Sequence, residues 1–226
     1  MELNKKYILV TGGSNGIGRE LVNSLISEGV YVGVLDINKS AFIEIEKSSK
    51  KVFCFECDIT KPSAVEKSVE KFYEMHGAID VLVNNAGVAS GSFFQMTSLQ
   101  DLKQLFEINF FSQILFTQSI SRYMSRFKSG SIINIASISG LRGDTGTTSY
   151  GSSKAALMFV TKTIATELGV MNIRVNAIAP SLTMTDMFDQ TDEKSRNKLI
   201  ESSALKRPAE PVEIANVALF LASDLP

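Results

Sequence analysis

The sequence predicts an α/β fold, a doubly wound parallel sheet with helices on both faces that together form a three-layer sandwich. Three observations predict it. Apolar runs of strand length, without polar alternation, recur along the chain, as strands buried on both faces require. A segment with apolar residues at helical spacing follows nearly every run. The first run also ends in Gly12-Gly13-Ser14-Asn15-Gly16-Ile17-Gly18, a glycine-rich turn that opens straight into a helix.

Residues 5–11 form the first expected strand. The helix behind the glycine turn carries Leu21, Val22, Leu25 and Ile26 on one stripe, and Gly29 ends it. Residues 30–36 are the second strand, 39–50 a short helix, and 52–57 the third strand. Pro62 suits the first position of the next helix, which turns Val65, Val69, Phe72 and Tyr73 inward. The fourth strand, 79–83, is closed by Asn84-Asn85-Ala86-Gly87. One long helix is predicted over 99–126, then a fifth strand at 131–135, a helix rich in small residues at 150–168, and a sixth strand, Ile173–Ile178. No repeat or linker-like tract interrupts this order, so a single domain over residues 1–226 is expected, with a small lid at about 185–207.

At 226 residues, 44% hydrophobic and 21% charged, the chain can bury one substantial core. A net charge of −1 argues against nucleic acid or an anionic membrane as partner. The longest apolar stretches are shorter than the roughly 20 residues of a spanning helix. The opening Met1-Glu2-Leu3-Asn4-Lys5-Lys6 leads into a strand rather than a signal core, so a cytoplasmic location is expected. The two cysteines, Cys54 and Cys57, lie three apart on one strand. They point to opposite faces, a poor geometry for a bridge, and read as ordinary buried thiols with no metal bound.

In doubly wound sheets ligands sit at the carboxyl ends of the strands, which gathers the glycine turn, Asp36, Asp58 and residues 85–87 around one crevice. The glycines let the backbone approach a pyrophosphate at the positive end of a helix. Asp36 ends the second strand about 20 residues later, where a carboxylate can accept both hydroxyls of a ribose. It would repel a 2′-phosphate, and no cation occupies Asn15 or Ile37, so NAD is favoured over NADP. In Tyr150-Gly151-Ser152-Ser153-Lys154 the phenol and ammonium share a helix face. A nearby ammonium favours phenolate, bringing a group of ordinary pKa near 10 within range of proton exchange with an alcohol. Ser137 leaves the fifth strand 13 residues earlier and could hold a substrate oxygen beside the phenol.

Along nearly its whole length the chain resembles the short-chain dehydrogenase/reductase family, and within it the 3-oxoacyl-acyl carrier protein reductase-like members. The resemblance rests on Thr11-Gly-Gly-Ser-Asn-Gly-Ile-Gly18, Asp58, Asn84-Asn-Ala-Gly87, Asn109, Ser137, Tyr150 with Lys154, Arg174-Val-Asn-Ala-Ile-Ala-Pro180 and Arg207-Pro-Ala-Glu-Pro-Val-Glu-Ile-Ala215. It implies a Rossmann-type sandwich that moves hydride between NAD(H) and a carbonyl or alcohol. Tyr150 would be the acid/base, and Lys154 would lower its pKa and bind the nicotinamide ribose. Ser137 would orient the substrate oxygen, and Asn109 would hold a water linking Lys154 to solvent. For the cofactor, the resemblance implies Gly12, Ser14, Asn15, Gly16, Ile17 and Gly18 at the phosphates, Asp36 and Ile37 at the ribose, and Asp58 with Ile59 at the adenine. Asn85, Ala86 and Gly87 would line the adenosine ribose, and Pro180, Thr183 and Thr185 would border the carboxamide.

The family pattern breaks at Ser181, where a glycine usually follows the proline, and at the end, where relatives continue into a seventh strand that often supports a tetramer. A sheet without its last strand is therefore expected. A homodimer or homotetramer is expected from the family, with helix 99–126 as a possible interface. Phe93, Phe94, Phe106, Phe110 and Phe111 read mostly as core or helix-interface groups, and His76 as exposed and non-catalytic. Met187 and Phe188 could cover an apolar part of a small-molecule substrate. The alternative to an enzyme is a non-catalytic nucleotide-binding scaffold or sensor on the same fold.

Overall fold

The computed structural model describes residues 3, 5–189 and 193–224 of the chain. Its strands are β1 (Tyr7–Thr11), β2 (Tyr31–Asp36), β3 (Val52–Glu56), β4 (Val81–Asn84), β5 (Gly130–Ile135) and β6 (Ile173–Ile178). All pair in parallel, in the order β3-β2-β1-β4-β5-β6. The helices are α1 (Gly16–Ser27), α2 (Phe42–Ser48), α3 (Pro62–His76), α4 (Leu99–Phe106), α5 (Ser112–Phe127), α6 (Thr148–Gly169), α7 (Asp186–Asp189), α8 (Glu193–Ser202) and α9 (Pro211–Ala222). Among the described residues the sheet has six strands, with β6 outermost on one side.

Alternation along each strand divides the core in two. Ile8 and Val10 of β1, Val81 and Val83 of β4, and Ile133 and Ile135 of β5 meet Leu21, Val22 and Leu25 of α1 and Ile214, Ala218 and Leu219 of α9. On the other face Leu9, Leu82 and Ile132 meet Val65, Val69 and Phe72 of α3 and Phe116, Ile120 and Met124 of α5. Helices on both faces of a parallel sheet make the three layers the sequence predicts. The strand order reverses between β1 and β4, so a crevice opens where those two strands end.

Several expectations need correction. The second helix is shorter, because Asn38 caps a 3-10 turn at Lys39–Ala41 before α2 begins. The long helix of 99–126 is interrupted by a π turn, Glu107–Phe111. His76 is not exposed: its ring lies about 5 Å from those of Tyr7, Tyr31, Phe53 and Phe72, and Nε2 is buried without a partner. Phe93, Phe94 and Phe111 are surface residues rather than core. The cysteines point to opposite faces as expected, but only Cys57 is fully buried. Cys54 packs on one side of the sheet and Cys57 on the other, both free, with burial pushing Cys54 up to about 12. No helix among the described residues is long and apolar enough to cross a membrane.

Candidate active site

The crevice is built first by backbone. Gly12 turns the chain out of β1 with φ 65°, and Gly18 lies so close to the strand that a Cβ there would fall 2.1 Å from the Gly12 carbonyl oxygen. Thr11 Oγ1 accepts from the backbone N–H of both Asn85 and Ala86, and Asn85 Nδ2 donates back to Thr11 O and Gly12 O. These bonds lock the end of β4 to the end of β1. Ser14 donates its N–H to Asp36 Oδ2 at 3.0 Å and its hydroxyl to Asn38 O. Asp36 Oδ1 takes the Asn38 N–H at 2.9 Å, so the carboxylate is aimed from both sides.

The first turn of α1 contains no acidic residue, and Asn15, exposed before it, makes no side-chain cap. Its leading N–H groups therefore remain available to an anion. Ile17 packs on the core beneath, while Ile37 is exposed past Asp36. A Cβ on Gly16 would meet Thr185 Cγ2 at 3.2 Å, which puts the 180s segment across from the glycine turn. Within that segment Pro180 accepts from Ile138 N, and Thr183 bridges to Ala209. Asp58 caps the turn into α3 through Thr60, whose bonds hold its carboxyl below the usual range, and Ile59 is buried beside it. These groups fit a dinucleotide.

Four side chains converge beyond Gly87. Asn109, wholly buried in the π turn, exchanges bonds of 2.9 Å with both backbone groups of Val88 and donates to Ser153 Oγ. Lys154, 4% exposed, donates to Ile135 O at 2.7 Å. A Cβ on Gly87 would lie 3.1 Å from Asn109 Oδ1 and 3.4 Å from Lys154 Nζ, so a side chain there would press on that pair. Ser137 stands near enough to the Tyr150 phenol to favour its charged form, and its hydroxyl takes the N–H of Ser139 at 3.2 Å. Tyr150 and Lys154 share one face of α6, with Nζ 6.0 Å from the centre of the phenol ring.

The charges differ from the expectation. Burial pushes the Tyr150 phenol up, with nearby Ser137 opposing it, where the sequence led us to expect a lowered phenol. Burial also lowers Lys154 to about 8. An open groove of about 320 Å³ lined by Leu141, Arg142, Thr148 and Ser152 holds none of the four groups. Met187 and Phe188 stand on α7 at the start of the expected lid; Gln190, Thr191 and Asp192 of that stretch lie outside the described residues.

Sequence reasoning missed a second layer of polar groups. Asn84 donates to Thr117 Oγ1 and Asn134 Oδ1, and Asn134 to Thr161 Oγ1, tying α5, β4, β5 and α6 together behind the site. Asn134 within the apolar run 131–135 was the available signal. Gln113 and Ser153 gave none.

A helix end with unpaired leading N–H groups, a carboxylate fixed at the end of β2 and a tyrosine–lysine–serine–asparagine cluster fit a dinucleotide-dependent oxidoreductase on a doubly wound sheet. The family model for short chain dehydrogenases matches residues 6–196, and the chain belongs to that family. It is 36% identical to the 3-oxoacyl-[acyl-carrier-protein] reductase of Thermotoga maritima over 228 residues, 99% of this chain and 93% of the relative. Its fold matches NAD+-bound xylitol dehydrogenase with a TM-score of 0.93 at 31% identity, covering 99% of this chain and 94% of the other. It matches equally, at 32% identity and 98% and 88% coverage, a 7α-hydroxysteroid dehydrogenase complexed with NADH and 7-oxo glycochenodeoxycholic acid. The protein is thus an NAD(P)-dependent oxidoreductase acting on alcohol or carbonyl groups.

Proposed function

We propose that the protein interconverts a secondary alcohol and a ketone with NAD(H), in the cytoplasm and as a homodimer or homotetramer. The observation that carries the reading is the gathering of Tyr150, Lys154 and Asn109 about one point, with Nζ of Lys154 6.0 Å from the phenol ring and Ser137 near enough to act on the phenol. A carbonyl oxygen seated between the two hydroxyls accepts a bond from Ser137 and a proton from Tyr150; the alcohol returns that proton in reverse. Lys154 would hold the nicotinamide ribose and refill the phenol, and Asn109 would keep its path to solvent. The bound nicotinamide supplies or accepts the hydride. Residues 185–207 serve as the lid over a small-molecule substrate.

NAD is preferred on electrostatic grounds. Asp36, held by the Ser14 and Asn38 N–H groups, would repel a 2′-phosphate on a ribose bound at the end of β2, and nearby cations pair with other carboxylates, Arg19 with Glu44 at 2.8 Å and Lys39 with Glu56 at 2.9 Å. The relatives' names span an oxoacyl carrier, a polyol and a steroid, so the alcohol–ketone pair is the part shared.

The test follows nicotinamide absorbance with NADH or NADPH against ketones, 3-oxoacyl thioesters and keto sugars. Turnover preferring NADH is expected, falling about 10²–10⁴-fold in Tyr150→Phe while NADH still binds. A Tyr150→Phe variant with most of its activity would end the mechanism; cofactor binding without any turnover would favour a scaffold or sensor.

A further inference from the structure

We propose that Gln113 is a positioning residue of this site, setting Asn109 against the nucleotide loop by way of the π turn. The proposal rests on the oxidoreductase reading above and adds a residue to it. α4 and α5 would be one helix but for the turn at Glu107–Phe111. A π turn takes one extra residue and leaves its carbonyls poorly placed for partners four residues on. Donors five residues on meet them, the Ser112 backbone N–H at Glu107 O among them, and two side chains add to these. Ser112 Oγ donates to Glu107 O at 2.7 Å, and Gln113 Nε2 to Ile108 O at 3.2 Å.

The other hydrogen of the Gln113 amide goes to Ala86 O at 2.6 Å. Gln113 thus joins the residue next to Asn109 to the carbonyl between Asn85 and Gly87. Asn109 itself grips the same loop two residues on, at Val88. The loop is held at Ala86 and Val88 by one helical unit, and Gly87 between them lies over Lys154.

Gln113 is 1% exposed, and its Oε1 finds no donor. Two carbonyl acceptors fix which end of the amide faces them, so the orphaned oxygen cannot be relieved by a flip. A leucine would fill that space and do away with the unpaired Oε1, but it would take the amide donor from Ala86 O and Ile108 O. What the amide supplies in return is two bonds, and both end on backbone that frames Asn109. One turn along α5, Thr117 takes Asn84 Nδ2 at 3.0 Å, anchoring the same helix to β4.

The test compares Gln113→Leu and Gln113→Glu with wild type by two readouts: turnover across pH, and hydrogen exchange of the Val88 amide in the cofactor-free protein. Gln113→Leu should lower kcat about tenfold and speed Val88 exchange about tenfold, with amides of β1 and β2 little changed. In Gln113→Glu the neutral acid still has one hydrogen to give, whereas the carboxylate meets two carbonyls. Its activity and Val88 protection should therefore fall as pH rises, with no matching change in wild type. Gln113→Leu with wild-type kcat and wild-type Val88 exchange would overturn the proposal. Should that variant not fold, a Gln113→Glu protein indifferent to pH would do the same. A wild type that binds NADH and turns over nothing refutes the oxidoreductase reading instead, and Val88 exchange still judges Gln113.

Discussion

Lys154 is held in place against its own solvation. The ammonium is almost wholly buried, donates to Ile135 O, and is lowered by burial to about 8 from an ordinary 10.5. Between those two values the unfolded chain binds the proton more readily than the folded one. Stability therefore rises as pH climbs from about 8 towards 10.5, and the full penalty stands at neutral pH. Replacing Lys154 with methionine removes a buried charge and one hydrogen bond. The net gain at pH 7 should be about 2 kcal/mol, or about 4–8 °C in Tm for a chain of this size, while turnover is lost. Melting curves at pH 7 and pH 10 check this, because the gap between variant and wild type must narrow at the higher pH. A destabilised variant, or a gap that ignores pH, would mean that Lys154 is not strained in the folded state.

The elements were legible where one pattern decides them. Unbroken runs such as Ile8-Leu9-Val10 can only be strands buried on both faces, and Tyr150 with Lys154 can only share a helix face. The π turn was not legible, because an extra residue between α4 and α5 leaves apolar residues at helical spacing on either side. Gln113 was missed with it, since a glutamine in an amphipathic helix reads as surface. His76 was misread for a related reason: a lone histidine before Gly77 looks like a solvated helix end, but α3 tips it onto four rings from β1, β2, β3 and its own helix. Burial lowers its pKa, so the unfolded state binds more protons below about 6.5. Stability should be intact above that pH and be lost as pH falls through the folded value. In His76→Phe that acid-side loss between pH 7 and 5 should shrink, by thermal melts in both proteins. Parallel curves would show that the ring is protonated at no cost where it stands.

For the molecule as a whole, the question is what covers its apolar surface. The described residues bury two continuous cores, yet Leu99 on α4, Phe111 in the π turn and Phe159 on α6 stay exposed, at 64%, 53% and 73%. α4 and the π turn pack against α6, so these side chains stand on neighbouring elements. Scattered exposed apolar residues need no explanation, but clustered large ones mark an interface. We expect a homo-oligomer paired through these helices to cover them and to steady α6, which carries Tyr150 and Lys154. Phe159 is the residue to change. It stands nine positions beyond Tyr150, and a surface substitution of this kind alters intrinsic stability by about 0.5 kcal/mol or less. Light scattering should give a dimer or tetramer for wild type and a lower mass for Phe159→Lys, with the secondary structure unchanged. Kinetics then separate two roles for the pairing. If the dissociated variant also loses turnover, the partner helix steadies the catalytic face, whereas full activity would make the interface a matter of stability alone. A monomeric wild type, or an unchanged mass in the variant, would show that this face is left to solvent.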